Sequence, residues 1–326
     1  MIGLFDSGVG GLSVVREVRR QLPACPLVYL ADQGHAPYGP RPLAEIREFA
    51  GGITRFLLAQ GAQVVVVACN TASAAALHWL RRAFPGVPFV GMEPALKPAA
   101  ERTRTRHVGV IATAATFQGE LFASLVDRYA ADVVVHTQVC AQLVPLVEAG
   151  ELDSPQARAA VAGYLAPLAA AGIDELVLGC THYPFLRPLI EEVVGPHVEV
   201  IDPAGAVARQ AGRILSQHGW PVGDAGDVMA RSVLCGCAAS LWDEAVSADA
   251  GDCFGPKDGP RNDSSKDGPR NDRLQNVNEP APRPPDRFFT TGDPARFQAA
   301  LQNLLGVHPI VQPAIWSAAG QLRLPR

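Results

Sequence analysis

Lysine is nearly absent: among 326 residues only Lys97, Lys257 and Lys266 carry an ε-amine. A pyridoxal-phosphate enzyme holds its cofactor as a lysine Schiff base. Two of the three lysines fall in a low-complexity repeat, and Lys97 sits between prolines in EPALKPAA, far in sequence from any motif that carries chemistry. The reading is chemistry with no cofactor and no metal. An excess of basic residues is missing too: a net charge of −4 gives no footprint for nucleic acid. No apolar run approaches a membrane span, and Asp6 interrupts MIGLFDSG before a signal-peptide core could form, so the expected location is cytoplasmic, away from any membrane. Seven cysteines, an odd number without a secretory signal, do not make a disulfide framework. Cys25, Cys140 and Cys253 read as structural or incidental. The CxC pair Cys235 and Cys237 lacks the second pair or histidine cluster that would complete a metal site. Gly8, Gly10 and then Ser13 fall one glycine short of a dinucleotide fingerprint. Asp32 does end the next strand at a ribose-contact spacing, but Asp6 and Ser7 put a carboxylate where a pyrophosphate would approach.

Against these absences stands VVVVACNTAS at residues 64–73. Four valines without polar alternation read as a strand buried on both faces, the pattern of a parallel sheet covered by helices. The run stops at Cys69, and a helix-forming segment follows at once. In such sheets the carboxyl ends of the strands form the ligand crevice. There a thiol feels the positive end of the following helix, which is expected to stabilise its thiolate. The design recurs in ELVLGCTHYP at residues 175–184, where an apolar strand ends at Cys180. One buried cysteine is ordinarily core packing. Two at equivalent turns, followed by Asn70 and Thr71 in one case and Thr181 and His182 in the other, point to a site.

With 326 residues, two domains are the starting expectation, and the chain in order yields two α/β units. Residues 2–5 form a short strand, and DSGVGGLSV (6–14) runs as a glycine loop into an amphipathic helix ending near Pro23. The strand at 27–31 opens into DQGHAPYGPRP (32–42). That loop is either an ordinary turn or the wall of a polar site, with Tyr38 supplying a hydroxyl and Gly39 a bare amide. A helix over 43–60, the first cysteine strand, a helix bearing Trp79 and Arg82, and a strand over 88–92 close the unit near Pro94. The pattern restarts at 108–112, and Thr113 and Thr116 follow where Asp6 and Ser7 stand in the first unit. A strand at 133–135 comes next, and CAQLVPLVEAGELD carries Glu148 into a loop, as a site residue or as a solvated helix-end carboxylate. A helix over 157–171, the second cysteine strand and VEVIDPAGAVARQ, a strand entering a helix, complete this unit. After Trp220 the composition changes, and KDGPRND at 257–263 recurs at 266–272. Residues 248–286 read as a disordered insertion. The strand and turn at 287–297, with a helix to Leu305, then add to the first unit. The domains expected are 1–94 with 206–326, and 95–205.

DSGVGGLSV, PYG at residues 37–39, ACNTAS and GCTHYP, in this order and spacing, closely resemble the glutamate racemase family, over residues 2–217 and again over 288–305. The insertion, the CxC segment and DQGHA ahead of PYG depart from its pattern. The resemblance implies two pseudo-symmetric, doubly wound α/β domains with mainly parallel sheets and the active site between them, in agreement with the two units above. It implies racemisation of glutamate, supplying D-glutamate for peptidoglycan. Inverting an α-carbon needs a base on one face and an acid on the other. By resemblance these are Cys69 and Cys180, assisted by Asp6 and His182 respectively. Ser7, Tyr38, Gly39, Asn70, Thr71 and Thr181 are similar to the family's substrate contacts, and Thr113, Thr116 and Glu148 are further candidates. Aspartate racemases also resemble the chain but typically carry a glutamate where His182 stands, which favours glutamate. A binding protein or gyrase inhibitor on the same fold is the remaining alternative, and the cysteine pair and acidic charge argue against it. The oligomeric state leaves no readable motif, and a homodimer stays open.

Overall fold

The structure is a computed structural model that describes residues 1–118, 120–220 and 286–325. The CxC pair and the expected insertion, all but Asp286, lie outside the described residues. The strands are β1 (Ile2–Asp6), β2 (Leu27–Ala31), β3 (Val64–Val67), β4 (Phe89–Val90), β5 (His107–Ala112), β6 (Val134–Val139), β7 (Glu175–Gly179), β8 (Glu199–Ile201), β9 (Arg287–Thr290) and β10 (Val311–Pro313). A small antiparallel hairpin of β11 (Ile315–Trp316) and β12 (Leu322–Arg323) ends the described chain. One parallel sheet has the order β10-β9-β2-β1-β3-β4 and the other the order β6-β5-β7-β8. Every residue of β1, β2, β3 and β7 is buried, as sheets covered on both faces require.

The helices are α1 (Leu12–Gln21), α2 (Leu43–Ala59), α3 (Asn70–Ala83), α4 (Leu96–Arg102), α5 (Ala114–Gln118), α6 (Glu120–Tyr129), α7 (Leu143–Glu148), α8 (Pro155–Ala170), α9 (Arg187–Val194), α10 (Ala204–Gln217) and α11 (Pro294–Leu305). One apolar cluster joins the two sheets, running from Leu4 and Tyr29 through α1 and α10 to Leu176 and Leu178.

Three features differ from the reading by apolar runs. β6 is longer than residues 133–135 because it is an edge strand, in which the half-exposed His136 and Gln138 and the exposed Thr137 extend the pairing past the valines. α4 forms despite its prolines because Pro98 falls in the first turn, where a missing N–H has no helical partner to lose. Glu148 is the last residue of α7 rather than part of a loop.

β9 pairs with β2 in parallel register, so the first sheet takes strands from both ends of the described chain. Within each sheet the strand ends are level. Phe5 pairs with Val67 and Ala112 with Gly179, which sets the segments after β1 and β3 side by side, and likewise those after β5 and β7.

Candidate active site

Cys69 is the residue that caps α3. Its backbone is extended, and its sulfur accepts the Ala72 N–H at 3.4 Å. The Cys69 Sγ lies 3.9 Å from Ser7 Oγ, and the Ser7 hydroxyl is 3.4 Å from Asp6 Oδ1. Asp6 ends β1 in full burial, and its other oxygen accepts the Gly11 N–H at 2.6 Å. Burial, and then the Asp6 charge, push the Cys69 thiol well above its ordinary value. The helix N-terminus acts in the expected direction, since the Ala72 N–H favours the thiolate, but here it does not prevail. Burial also raises the Asp6 carboxyl, against the opposing charge of His182.

The second motif places Cys180 directly after β7, with its Sγ 3.7 Å from His182 Nδ1. His182 Nε2 meets Glu148 Oε1 at 2.8 Å, and the same oxygen accepts the Val9 N–H at 2.7 Å. Burial pulls the imidazolium down, yet its bonds to Cys180 and Glu148 hold it well above the usual histidine range. Burial likewise opposes ionisation of Glu148, and the His182 bond and charge overcome it and lower the carboxyl. Glu148 is therefore neither loop nor solvated: only 14% of its side chain is exposed, and it forms an ion pair with His182.

The two motifs meet through the glycine loop. A Cβ on Gly8 would stand 1.9 Å from Glu148 Oε1, and one on Gly10 would stand 2.4 Å from His182 Nδ1. A side chain at either position would have to displace the site groups it meets. Thr181 Oγ1 is 3.5 Å from Asp6 Oδ2, and Ser13 Oγ lies 3.1 Å from the Thr181 carbonyl. The Cys180 charge bears on Cys69, so the two thiols share one electrostatic environment.

A third group forms the far wall. Thr71 Oγ1 and Thr113 Oγ1 are 2.8 Å apart, Thr113 and Thr116 are 3.1 Å apart, and Gly39 lies against Thr113. The Tyr38 hydroxyl donates at 2.6 Å to the buried Asp32, so toward a ligand its oxygen is left to accept. Asp32 also accepts from Thr291 Oγ1 at 2.6 Å and from Trp316 Nε1 at 2.9 Å. Asn70 is 3% exposed, and neither its amide nitrogen nor its oxygen has a partner within the protein. Buried polar atoms ordinarily find one, so this amide is available to a bound polar molecule.

All thirteen residues named from the sequence therefore lie in the segments that the strand ends bring together. Gln33 was not among them, although its amide nitrogen reaches Glu148 Oε2 at 3.2 Å. Nothing near Gln33 in sequence marks it, because its partners come from α7 and β9. Cys25 and Cys140 are buried free thiols, and burial pushes the Cys140 thiol up to about 12. Lys97 extends over the Tyr129 ring, 5.6 Å from its centroid. No described helix is long and apolar enough to cross a membrane.

The chain as a whole is similar to known proteins. The family model described as Asp/Glu/Hydantoin racemase matches residues 2–211. The glutamate racemase of Ectopseudomonas mendocina is 55% identical over 217 residues, 67% of this chain and 82% of its own length. That of Roseiflexus sp. is 52% identical over 218 residues, covering 67% of this chain and 80% of the relative. Among solved structures, the Thermus thermophilus glutamate racemase in complex with beta-chloro-D-alanine superposes with a TM-score of 0.66 at 32% identity, covering 96% of each chain. A Bacillus anthracis glutamate racemase isoform gives 0.70 at 29% identity, again over 96% of each.

Proposed function

The chain belongs to the Asp/Glu/hydantoin racemase family, and on that premise we propose that it interconverts L- and D-glutamate without a cofactor, through Cys69 and Cys180. The observation that carries the proposal is the arrangement of two thiols at equivalent strand ends, each with its own charged partner, Asp6 for one and the His182–Glu148 pair for the other. In the direction from L to D, the Cys180 thiolate takes the α-proton, and the electron pair left on carbon delocalises into the substrate carboxylate. The Cys69 thiol then delivers its proton to the opposite face. Cys180 ends protonated and Cys69 ends as the thiolate, ready for the reverse turnover.

The electrostatics suit these starting states. His182 is held as the imidazolium 3.7 Å from Cys180 Sγ, while burial and Asp6 keep Cys69 a thiol. Substrate binding brings an ammonium group, whose charge lowers the cost of ionising Cys69 for the return direction. The unpartnered Asn70 amide and the Thr71, Thr113 and Thr116 hydroxyls supply polar groups for the two carboxylates. Which cysteine serves which enantiomer follows from family resemblance. So does the use of the product in peptidoglycan, while the division into residues 1–94 with 206–326 and residues 95–205 is read from the order of elements along the chain and is supported by the pairing of β9 with β2.

The test is polarimetry of L-glutamate with dialysed protein and nothing added, where rotation should decay to zero. Cys69→Ser and Cys180→Ser should each abolish racemisation. A glutamate analogue with a leaving group next to the α-carbon needs only the first deprotonation. Cys180→Ser should still eliminate from the D analogue, and Cys69→Ser from the L analogue. Loss of both eliminations in either single variant would overturn the two-base reading, and faster racemisation of aspartate would overturn the choice of substrate.

A further inference from the structure

A directed chain of hydrogen bonds leads from the returning strand β9 into the Cys180 side of the site. The Gly292 N–H donates to Thr290 Oγ1 at 3.0 Å, which occupies a lone pair of that hydroxyl. The Thr290 hydroxyl, at the end of β9 and 0% exposed, then donates to Gln33 Oε1 at 2.9 Å. With its oxygen so committed, the Gln33 amide must turn its NH2 the other way, and Nε2 donates to Glu148 Oε2 at 3.2 Å. Glu148 thereby has one oxygen held by Gln33, while the other is shared by His182 and the Val9 N–H. His182 in turn faces Cys180. Gly292 packs so tightly on Gln33 that a Cβ there would stand 2.8 Å from the Gln33 Cβ, which fixes the glutamine stem as well as its head.

We propose that Gln33 and Thr290 are positioning residues for the Cys180 half of the reaction, holding the Glu148 carboxylate in the plane that presents Oε1 to His182. This rests on the two-base reading above. A carboxylate with only one oxygen anchored is free to turn about its terminal torsion, which is broad and weakly restricted. Two separately anchored oxygens remove that freedom. The donor polarity matters as much as the contact: a flipped Gln33 would aim its carbonyl at the carboxylate and repel it. Cys69 and Asp6 take no hydrogen bond from this chain and feel Glu148 and His182 only through their charge, so losing a link of the chain falls mainly on the Cys180 half.

The test uses the full-length protein and the two leaving-group analogues. Gln33→Met keeps the stem and removes the donor. Thr290→Val removes the hydroxyl at constant shape, and Thr290→Ser restores it. The turnover number for elimination from the L analogue should fall roughly 10- to 100-fold in Gln33→Met, the range expected for one hydrogen bond to a charged group. Elimination from the D analogue and the KM for either analogue should change little. Thr290→Val should show a smaller loss of the same one-sided kind, and Thr290→Ser should recover it. Equal losses with both analogues, or no loss in Gln33→Met, would overturn the proposal, as would a Thr290→Ser no better than Thr290→Val. Cys180→Ser run alongside separates the two levels: if it still eliminates from the L analogue, the two-base assignment fails, and this inference falls with it.

Discussion

Glu175 opens β7 at the end opposite Cys180, and neutralising it should stabilise the protein without touching the reaction. The parallel register sets Glu175 directly beside Glu199 of β8, and Asp174 precedes it in the chain. Glu199 is paired with Arg102 at 2.7 Å. Asp174 takes Thr103 Oγ1 and the Arg104 and Thr105 N–H groups, which draw its carboxyl down to about 2 although burial opposes this. Glu175 is 5% exposed, and its Oε2 has no partner. Burial first, then the Glu199 charge, raise its carboxyl from 4.5 to about 7. Adjacent acids in one turn are thus driven in opposite directions by the hydrogen bonds that one has and the other lacks.

Because the folded value lies above the unfolded one, the contribution of the protonated acid is fully present below about 4.5 and is lost as pH rises through about 7. The rise from 4.5 to about 7 corresponds to at most about 3.4 kcal/mol. Solvent near the strand end and the Arg102 charge screen the site, so about 1–2 kcal/mol is the realistic gain from Glu175→Gln at pH 8. The assay is urea unfolding followed by circular dichroism at pH 8 and at pH 4.5. The variant midpoint should be higher at pH 8, and the difference should vanish at pH 4.5. Racemisation at pH 8 should be unchanged, since β7 separates the two ends by roughly 16 Å. A variant no more stable at pH 8, or equally stabilised at both pH values, would refute the assignment of a strained, ionised Glu175.

Glu148→Gln removes the charge that keeps His182 protonated while the opposing burial remains. Activity at pH 8 should fall roughly 100-fold, with the alkaline limb of the pH–rate profile displaced to lower pH. Gly8→Ala should give the same signature in a folded protein, because the new methyl occupies the place of Glu148 Oε1. Asn70→Ala deletes an amide that bonds to nothing in the protein, so thermal unfolding should be unchanged or later while KM for glutamate rises roughly tenfold or more. Trp316→Phe takes one donor from Asp32, whose carboxyl is depressed, against the effect of burial, by His35, Thr291, Tyr38 and Trp316 together. About 1–3 kcal/mol of stability should be lost near pH 7. The deficit should narrow as pH falls through the depressed Asp32 value, which unfolding curves at two pH values would show.

The parts of the site that were legible in the sequence share one property, which is that their information is local. Cys69 and Cys180 each follow an uninterrupted buried strand and precede a helical turn, so a few residues settle both conformation and depth. Asp6 and Ser7 stand at the same kind of strand end. Glu148 did not separate from a solvated helix-end carboxylate by this means, because what holds it in place is the Val9 N–H, 139 positions away, and His182. The same applies to β6, whose polar residues hid a strand that is set by pairing with β5.

Distance along the chain also explains why Asp32 and Gln33 carry more weight than their loop suggested. β9 returns to pair with β2, which brings Thr290 and Thr291 beside them across 257 and 259 positions. The two neighbours then diverge, Asp32 toward Tyr38 at the threonine wall and Gln33 toward Glu148 at the Cys180 side. A strand recruited from the far end of the chain thus bears on two walls of the site through adjacent side chains. The pair Thr290–Thr291 acts on both because Thr290 is the last residue of β9 and Thr291 the first of the bend that follows, and their hydroxyls reach Gln33 and Asp32 respectively. A substitution at either threonine should therefore be felt first on the side its own hydroxyl reaches, Gln33 and Glu148 for Thr290 and Asp32 and Tyr38 for Thr291.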